Sequence, residues 1–254
     1  MNVKQNTAMK KIFTILASVA LIAPMISSCC LDDDRNDNYY YPNMLVTVKS
    51  AEDGRCYFQL DDNTTLLPTN LEKSPYKGQV RALANCSKVE GDATPYDQLV
   101  KVHWVDSILT KKALKVADLE NIDSLGIDPV EIVGNWVTVV EDGYLTLQFA
   151  ALFGNKMVPH TINLVMGVDP ENPYLVELRH NAKGDYEMCT QRTGLVAFDI
   201  SELPDTEGKT VKLTVRYNGY NNVEKTYSFD YCTGGIQAAP EQLSSDVDTS
   251  LAIE

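Results

Sequence analysis

Short segments in which apolar and polar residues alternate recur from residue 44 to residue 231, separated by residues that favour turns. In the first segment Met44, Val46 and Val48 share one face, and Asp53-Gly54 provides a turn before the next segment. Alternation with a period of two residues is typical of strands that place one face on a core. The pattern predicts a chain built almost entirely of β-strands.

The first part of this pattern contains about five strands. After the segment that begins at Met44, the predicted strands are 56–60, 64–67, 79–89 and 99–109. About five short strands within about 70 residues are typical of a small closed barrel. We therefore predict a barrel domain over residues 43–116.

The pattern changes between residues 117 and 129. Leu119, Ile122 and Leu125 recur at helical spacing. Gly126 is a favourable C-terminal stop, and Asp128-Pro129 prevents the helix from continuing. We predict a linker with one short helix over residues 117–129 and place the domain boundary there.

A second series of strands follows the linker. Asp142-Gly143 is typical of a hairpin turn, and the predicted strands are 136–140, 144–149, 161–166, 174–180, 195–200, 211–217 and 225–231. Regularly spaced strands separated by Gly, Asn and Pro loops indicate an antiparallel sandwich, which we place at residues 130–235. The Ser- and Asp-rich remainder, 236–254, is predicted to be a disordered tail.

The N-terminal region has a different character. Lys10 and Lys11 precede an apolar run, 12–26, of about 15 residues, whereas a membrane-spanning helix needs roughly 20. The run predicts a cleaved signal peptide over residues 1–28, with a buried core helix as the alternative. Translation could start at Met1 or at Met9, since both place lysines before the run.

The apolar run ends in Ile26-Ser27-Ser28-Cys29. This stretch resembles the lipobox of bacterial lipoproteins, in which an aliphatic residue and two small ones precede the acylated cysteine. The resemblance predicts export, cleavage before Cys29 and lipidation of its sulfur. Two or three fatty chains on one cysteine hold a protein stably to a membrane, so we expect the membrane to be a partner through this anchor.

Residues 29–42 are predicted to form a flexible tether, because a charged and polar stretch of this kind cannot bury a core. The tether contains Asp32-Asp33-Asp34. In some diderm bacteria an acidic run at this place resembles a signal for export to the outer face of the outer membrane. We therefore predict an outer-membrane lipoprotein whose body is exposed at the cell surface.

Net charge excludes one class of partner. The chain carries a net charge of −13, and removal of residues 1–28 takes away three lysines and no acidic residue, which lowers it to −16. Affinity for nucleic acids depends on Lys and Arg side chains that displace counterions. The sequence therefore predicts no nucleic-acid partner and leaves protein or glycan ligands.

Five cysteines remain besides Cys29, and export would permit disulfides. Alternation places Cys56 and Cys86 on the core side of their strands, so a disulfide between them is one option. Two separate buried thiols, which imitate small hydrophobic residues, are the other. A pair formed by Cys189 and Cys232 is less favoured, because Cys232 falls on the polar side of its strand.

The sequence carries none of the common catalytic motifs: no G-x-S-x-G, H-E-x-x-H, G-x-G-x-x-G, P-loop or paired C-x-x-C. We predict His103 on the solvent side of its strand and His180 as a satisfied core or edge histidine. A zinc site formed by His160 and His180 would need a third close donor, which the spacing does not offer. We predict no catalytic residue, no metal site and no cofactor.

Several stretches of the chain resemble the NigD-like lipoproteins, a family named after a gene in a bacteriocin-associated cluster. The resemblance rests on the lipobox, on Cys30-Leu31-Asp32-Asp33-Asp34, and on the stretches 57–68, 126–130, 160–165, 177–185 and 196–200. It implies an N-terminal OB-like barrel and a C-terminal β-sandwich, and it implies no known biochemical activity. The tail after Cys232 departs from the family pattern.

Four aromatic residues, Tyr57, Phe58, Tyr96 and Trp104, fall within the predicted barrel. OB folds hold oligosaccharides or single strands on one face, so these four side chains could line a binding surface. The alternative is that they belong to the core.

These observations together predict a non-enzymatic, lipid-anchored binding or interaction module of the cell envelope. One alternative is an immunity or inhibitor protein linked to bacteriocin production, which the gene context of the resembling family suggests. The other alternative is an unrecognised envelope hydrolase.

Overall fold

The computed structural model describes residues 40–156 and 158–234. The predicted signal peptide, Cys29, most of the predicted tether and the predicted tail lie outside these residues. The described part contains fifteen strands and three short 3₁₀ turns, and none of its helical segments has the length and hydrophobicity of a membrane span. The predicted all-β class is confirmed.

Five strands close into a barrel, as predicted: β1 (Tyr40–Ser50), β2 (Cys56–Gln59), β3 (Thr65–Pro68), β4 (Val80–Val89) and β5 (Gln98–Ser107). Around the barrel they follow the order β1-β2-β3-β5-β4. Four of the five neighbouring pairs are antiparallel, and β3 pairs with β5 in parallel.

The barrel core follows from alternation along these strands. Met44, Val46 and Val48 point inward from β1 and pack with Phe58 and Leu66 in one buried cluster. The residues between them on β1 point outward, and one of these, Leu45, packs against the second domain. Burial of this apolar surface is the main favourable contribution to folding.

The next two strands leave the barrel and join the second domain. β6 (Leu109–Lys112) and β7 (Leu114–Lys115) follow β5 directly. β6 pairs in parallel with a strand of one sandwich sheet, and β7 pairs in parallel with a strand of the other. The range 43–116 expected for the barrel therefore includes β6 and β7, which belong to the sandwich. Each of them is the edge strand of one sandwich sheet.

Two sheets form the sandwich. Besides β6 and β7 their strands are β8 (Val130–Val133), β9 (Val139–Glu141), β10 (Tyr144–Phe153), β11 (Thr161–Met166), β12 (Leu175–Asn181), β13 (Thr190–Asp199), β14 (Val211–Gly219) and β15 (Val223–Tyr231). One has the order β6-β13-β10-β8, with β9 also paired to β10, and the other has the order β15-β14-β12-β11-β7. The β12–β14 pair is parallel as well, so the sheets are mixed rather than wholly antiparallel.

The predicted linker helix consists of two 3₁₀ turns, Val116–Asp118 and Ile122–Leu125. The side chain of Asn121 accepts a hydrogen bond from the Asp123 N–H at 2.9 Å and caps the second turn. Gly126 ends this turn with a φ of 75°. A Cβ atom at Gly126 would lie 2.7 Å from the carbonyl oxygen of His180, so only glycine fits there.

A buried joint connects the barrel to the sandwich. Leu45 and Leu83 of the barrel share an apolar cluster with Val137, Leu195 and other buried residues of the sandwich side. Within the described residues the two domains therefore share packed apolar surface, as well as the chain that links them.

Candidate functional site

The outer surface of the barrel carries a pair of contacting tyrosines. Tyr57 lies on β2, where its inward-facing neighbours Cys56 and Phe58 direct it outward. Tyr96 lies in the loop between β4 and β5. The two ring centroids are 5.3 Å apart with an interplanar angle of 41°, which is a favourable tilted arrangement for aromatic rings.

Hydrogen bonds hold the loop that carries Tyr96. The Asp97 carboxylate accepts from the Thr65 N–H at 2.7 Å and from the Thr65 hydroxyl at 2.6 Å, and these bonds lower the pKa of Asp97. The Asp92 carboxylate accepts in the same way from the backbone and hydroxyl of Thr94. Hydrogen bonds to Asp97 thus join the loop to β3, and those to Asp92 join two residues of the loop to each other.

Arg55 and Asp53 add charge to the same region, in the loop between β1 and β2. The Asp53 carboxylate accepts from the Arg55 backbone N–H at 3.0 Å and from its guanidinium at 2.7 Å. These bonds lower the pKa of Asp53. We name Tyr57, Tyr96 and Arg55 the barrel surface. It combines two phenol rings with a guanidinium, and can therefore stack on a ligand and donate hydrogen bonds to it.

The structure brings together two of the four aromatic residues predicted to line a face. Phe58 is fully buried in the barrel core, which is the alternative considered for it. Trp104 lies on β5 opposite Asn85, six residues beyond the start of that strand, and is 39% exposed. The aromatic face therefore reduces to Tyr57 and Tyr96.

A pocket of about 430 Å³ lies on the outer face of the second sandwich sheet. Parallel pairing of β12 with β14 places Glu177 opposite Arg216, and the Arg216 guanidinium donates to Glu177 at 2.8 Å. Arg179, two residues along β12, forms an ion pair with the same carboxylate. The Glu177 carboxylate thus forms ion pairs with two guanidinium groups.

The linker forms one wall of this pocket. The Asn218 amide donates to the Ile127 carbonyl oxygen at 2.6 Å, and Asp123 lies 3.8 Å from Arg179. Sequence reasoning missed this site. Alternation along β12 indicates that Glu177 and Arg179 share a face, but only the β12–β14 pairing brings Arg216 to them.

Both domains match models of one protein family. Residues 45–108 match the NigD-like N-terminal OB domain, and residues 113–231 match the NigD-like C-terminal beta sandwich domain. The chain belongs to the NigD-like family. The first range covers most of β1 and the barrel strands β2 to β5, and the second covers β7 to β15. β6 lies between the two ranges.

Solved structures share the NigD-like fold. A protein of Parabacteroides distasonis described as a "putative toxin related protein" is 36% identical, with a TM-score of 0.61 over 75% of this chain and 93% of that one. A NigD-like immunity protein of Bacteroides caccae is 21% identical, with a TM-score of 0.54 over 77% and 99%. A "putative lipoprotein" of Bacteroides fragilis is 18% identical, with a TM-score of 0.53 over 74% and 97%. A comparison with curated proteins finds no match.

Two histidines of the NigD-like sandwich form a buried hydrogen-bonded pair. His160 Nδ1 and His180 Nε2 are 3.0 Å apart, and His180 Nδ1 is 3.2 Å from the Pro129 carbonyl oxygen. Because that carbonyl only accepts, His180 Nδ1 carries the proton and His180 Nε2 accepts from His160. The remaining ring nitrogen of His160 faces the Asp185 carboxylate at 3.6 Å.

This arrangement uses the histidines for packing. Burial lowers the pKa of His180 to about 4, and the adjacent His160 lowers it as well. Among the described residues no group of three or more His, Cys, Asp and Glu side chains is placed to hold a metal ion. The third histidine, His103, is exposed on β5 and contacts the Ser87 hydroxyl at 3.1 Å.

Cys56 and Cys86 both line the barrel core, on the side that alternation predicts. The structure has them as free thiols. β1 pairs with Cys56 at Ser50 and with Cys86 at Tyr41, nine residues earlier, whereas a disulfide needs Cα atoms within about 7 Å. The structure therefore favours two separate buried thiols over a bridge. Cys189 and Cys232 are free as well.

Proposed function

We propose that this NigD-like protein is a non-enzymatic, lipid-anchored binding module of the cell envelope that captures a glycan or protein ligand on its barrel surface. The observation that carries the proposal is the contact between Tyr57 and Tyr96. It lies where β2 meets the β4–β5 loop, the region of the OB fold that binds oligosaccharides and single strands. The acidic body disfavours nucleic acids and leaves the other ligands.

Preorganisation supports this assignment. The loop that carries Tyr96 is already held by the bonds from Asp97 to Thr65. A surface that is ordered before binding loses less conformational entropy when a ligand arrives. The tyrosines offer both an apolar ring and a polar hydroxyl, which suits the mixed faces of sugars and peptides.

A non-enzymatic role is supported by the placement of the buried histidine pair and of the carboxylate beside it. His160, His180 and Asp185 resemble a catalytic relay in type, but each is at most 2% exposed. A general acid or base has to come within hydrogen-bond reach of a substrate. The closed position of these three side chains does not permit that contact.

The lipid anchor is proposed from the lipobox-like stretch that ends at Cys29. With it we propose export and an outer-membrane, surface-exposed location. Growth with an alkyne fatty acid should label the wild-type protein and leave Cys29→Ala unlabelled. Label that persists in Cys29→Ala would contradict lipidation at this residue.

Ligand capture is tested with the folded protein on a glycan array and in pull-downs from envelope extracts. The double variant Tyr57→Ala/Tyr96→Ala should lose at least about tenfold in affinity for any ligand found, which corresponds to about 1.4 kcal/mol. Trp104→Ala removes an exposed aromatic side chain elsewhere on the barrel and should bind as the wild type does. Equal binding by all three proteins would contradict the role of the barrel surface.

An immunity role is the second candidate, because one structure with this fold is described as an immunity protein and the 36% identical one as toxin related. The captured ligand would then be a toxin. Cells that carry the protein should survive a bacteriocin that kills cells without it, and the double tyrosine variant should lose this protection. No comparison supports the hydrolase alternative.

A further inference from the structure

We propose that one end of the sandwich rests on the lipid surface to which the chain is anchored. Three exposed apolar side chains, Leu152, Tyr186 and Met188, define this end together with the exposed basic residues Lys183 and Arg192. We name these five residues the tether-side surface. The inference rests on the lipid anchor at Cys29 proposed above, and it adds a second attachment between the folded body and the membrane.

The apolar residues of this surface lie close together in the fold. Leu152 is 42% exposed and sits at the end of β10, opposite Gln191 of β13. Tyr186 and Met188 are 62% and 86% exposed and lie in the loop that leads into β13. Exposed apolar side chains that occur singly are ordinary, whereas a group of large ones marks a contact surface.

The loop that presents these side chains is held in place. The Asp185 carboxylate accepts from the backbone N–H groups of Gly154 and Lys156, each at 2.9 Å. The Tyr186 hydroxyl donates to Asp128 at 2.9 Å. The apolar side chain of Met188 therefore projects from a fixed support, and its exposure is a property of the folded state.

The direction of β1 places the start of the described chain toward this end. Lys49 contacts Asp142 at 2.6 Å, just before β10 begins. Leu45 packs in one cluster with Leu195, which pairs with the middle of β10. Continuing along β1 from residue 45 to residue 40 therefore leads toward the end of β10, where Leu152 lies.

The length of chain before β1 limits how far this end can be from the membrane. Eleven residues, 29–39, connect the proposed anchor to Tyr40. At about 3.3 to 3.6 Å per residue they span at most about 40 Å. A short tether raises the effective concentration of the attached surface at the membrane, so that weak contacts become populated.

The charged residues of the tether-side surface also fit a lipid membrane as its partner. Lys183 and Arg192 are exposed at this end of the sandwich, Glu187 is exposed in the same loop, and Asp128 accepts from the Tyr186 hydroxyl. The chain as a whole has 22 basic and 35 acidic residues, whereas two of the four charged residues named here are basic. Basic side chains near apolar ones fit an anionic lipid interface.

The test uses the full lipidated protein in vesicles of phosphatidylethanolamine and phosphatidylglycerol, after mass spectrometry has verified the fatty chains on Cys29. Peroxide oxidation of Met188 and acetylation of Lys183 are measured by peptide mass spectrometry. Both should slow several-fold relative to unlipidated Cys29→Ser mixed with the same vesicles. Acetylation of Lys212, which is exposed on β14, provides the control and should not change.

A second variant separates the surface from the anchor. Lipidated Tyr186→Ser/Met188→Ser should remain attached to vesicles but lose the protection of Lys183. Equal modification rates at Met188 and Lys183 in the lipidated and unlipidated proteins would overturn the inference while leaving the anchor intact. Absence of fatty chains on Cys29 would instead overturn the anchor, and the tether argument with it.

Discussion

The guanidinium of Arg81 in the barrel and the carboxylate of Glu141 in the sandwich form a buried ion pair across the joint between the two domains. Arg81 is fully buried and also donates to the hydroxyls of Thr47 at 3.0 Å and Thr146 at 3.3 Å. Burial raises the pKa of Glu141, and the Arg81 charge opposes that rise. The ion pair therefore favours the observed contact between the two domains, because either charge would be costly to bury without its partner.

Removal of one member of this pair should strongly destabilise the protein. Arg81→Met leaves the Glu141 carboxylate buried without a counter-charge, so the free energy of unfolding should fall by about 3 to 5 kcal/mol in urea denaturation. The double variant Arg81→Met/Glu141→Leu should recover much of this loss. Lys212→Met, which breaks an exposed pair with Asp230, should change stability by less than about 1 kcal/mol. A loss for Arg81→Met no larger than for Lys212→Met would contradict the account.

Much of the fold could be predicted from the sequence because alternation reports burial directly. Val46 and Phe58 face the barrel core as their strands require, and Gly126 ends the linker turn as expected. The strands β6 and β7 lie within the range expected for the barrel but pair with strands of the sandwich. They are short, lysine-containing edge strands, and their parallel pairing with distant strands leaves no local pattern.

The candidate sites, like the fold, could be predicted from the sequence only in part. Tyr57 and Tyr96 could be named in advance, since each lies in a recognisable part of a small barrel, but their contact depends on how the β4–β5 loop is held against β3. Glu177 and Arg216 come from strands that are distant in sequence, and parallel pairing alone joins them. The hydrogen bond between His160 and His180 likewise depends on the β11–β12 register.

Stability should fall as the pH drops below the range in which an unfolded histidine titrates. The folded-state pKa of His180 is lowered to about 4 by burial and by His160, while an unfolded histidine has a pKa near 6.5. The unfolded chain therefore binds the proton first. The stabilising contribution is present above about pH 6.5 and lost between there and about pH 4, on the order of 3 kcal/mol.

Urea denaturation at several pH values measures this effect as the slope of the free energy of unfolding against pH. His180→Asn should flatten the slope across the window, whatever its own stability at neutral pH. His103→Asn changes an exposed histidine and should keep the wild-type slope. If His180→Asn keeps the full slope, the buried pair is not its source.

The core cysteines should be unreactive in the folded protein and reactive once it unfolds. Burial raises the pKa of Cys56 to about 11 and that of Cys86 to about 12, so both thiols are protonated and shielded. Alkylation with peptide mapping should label Cys189 in the native state, because it is exposed. Denaturant without reductant should then expose Cys56 and Cys86 to label. Labelling of these two only after reductant is added would establish a disulfide.

The shared carboxylate in the sandwich pocket should matter more than an exposed one beside the same arginine. Glu177→Ala removes the partner of both Arg179 and Arg216 and leaves two guanidinium groups near each other, so the free energy of unfolding should fall by about 1 to 3 kcal/mol. Glu224→Ala removes a carboxylate that lies 4.0 Å from Arg216 and is 74% exposed, and should cost less than about 1 kcal/mol because water screens that pair. Thermal and urea unfolding of the two variants compares them directly. Equal losses would mean that Glu177 does not hold the arginines together, and that the pocket has another support.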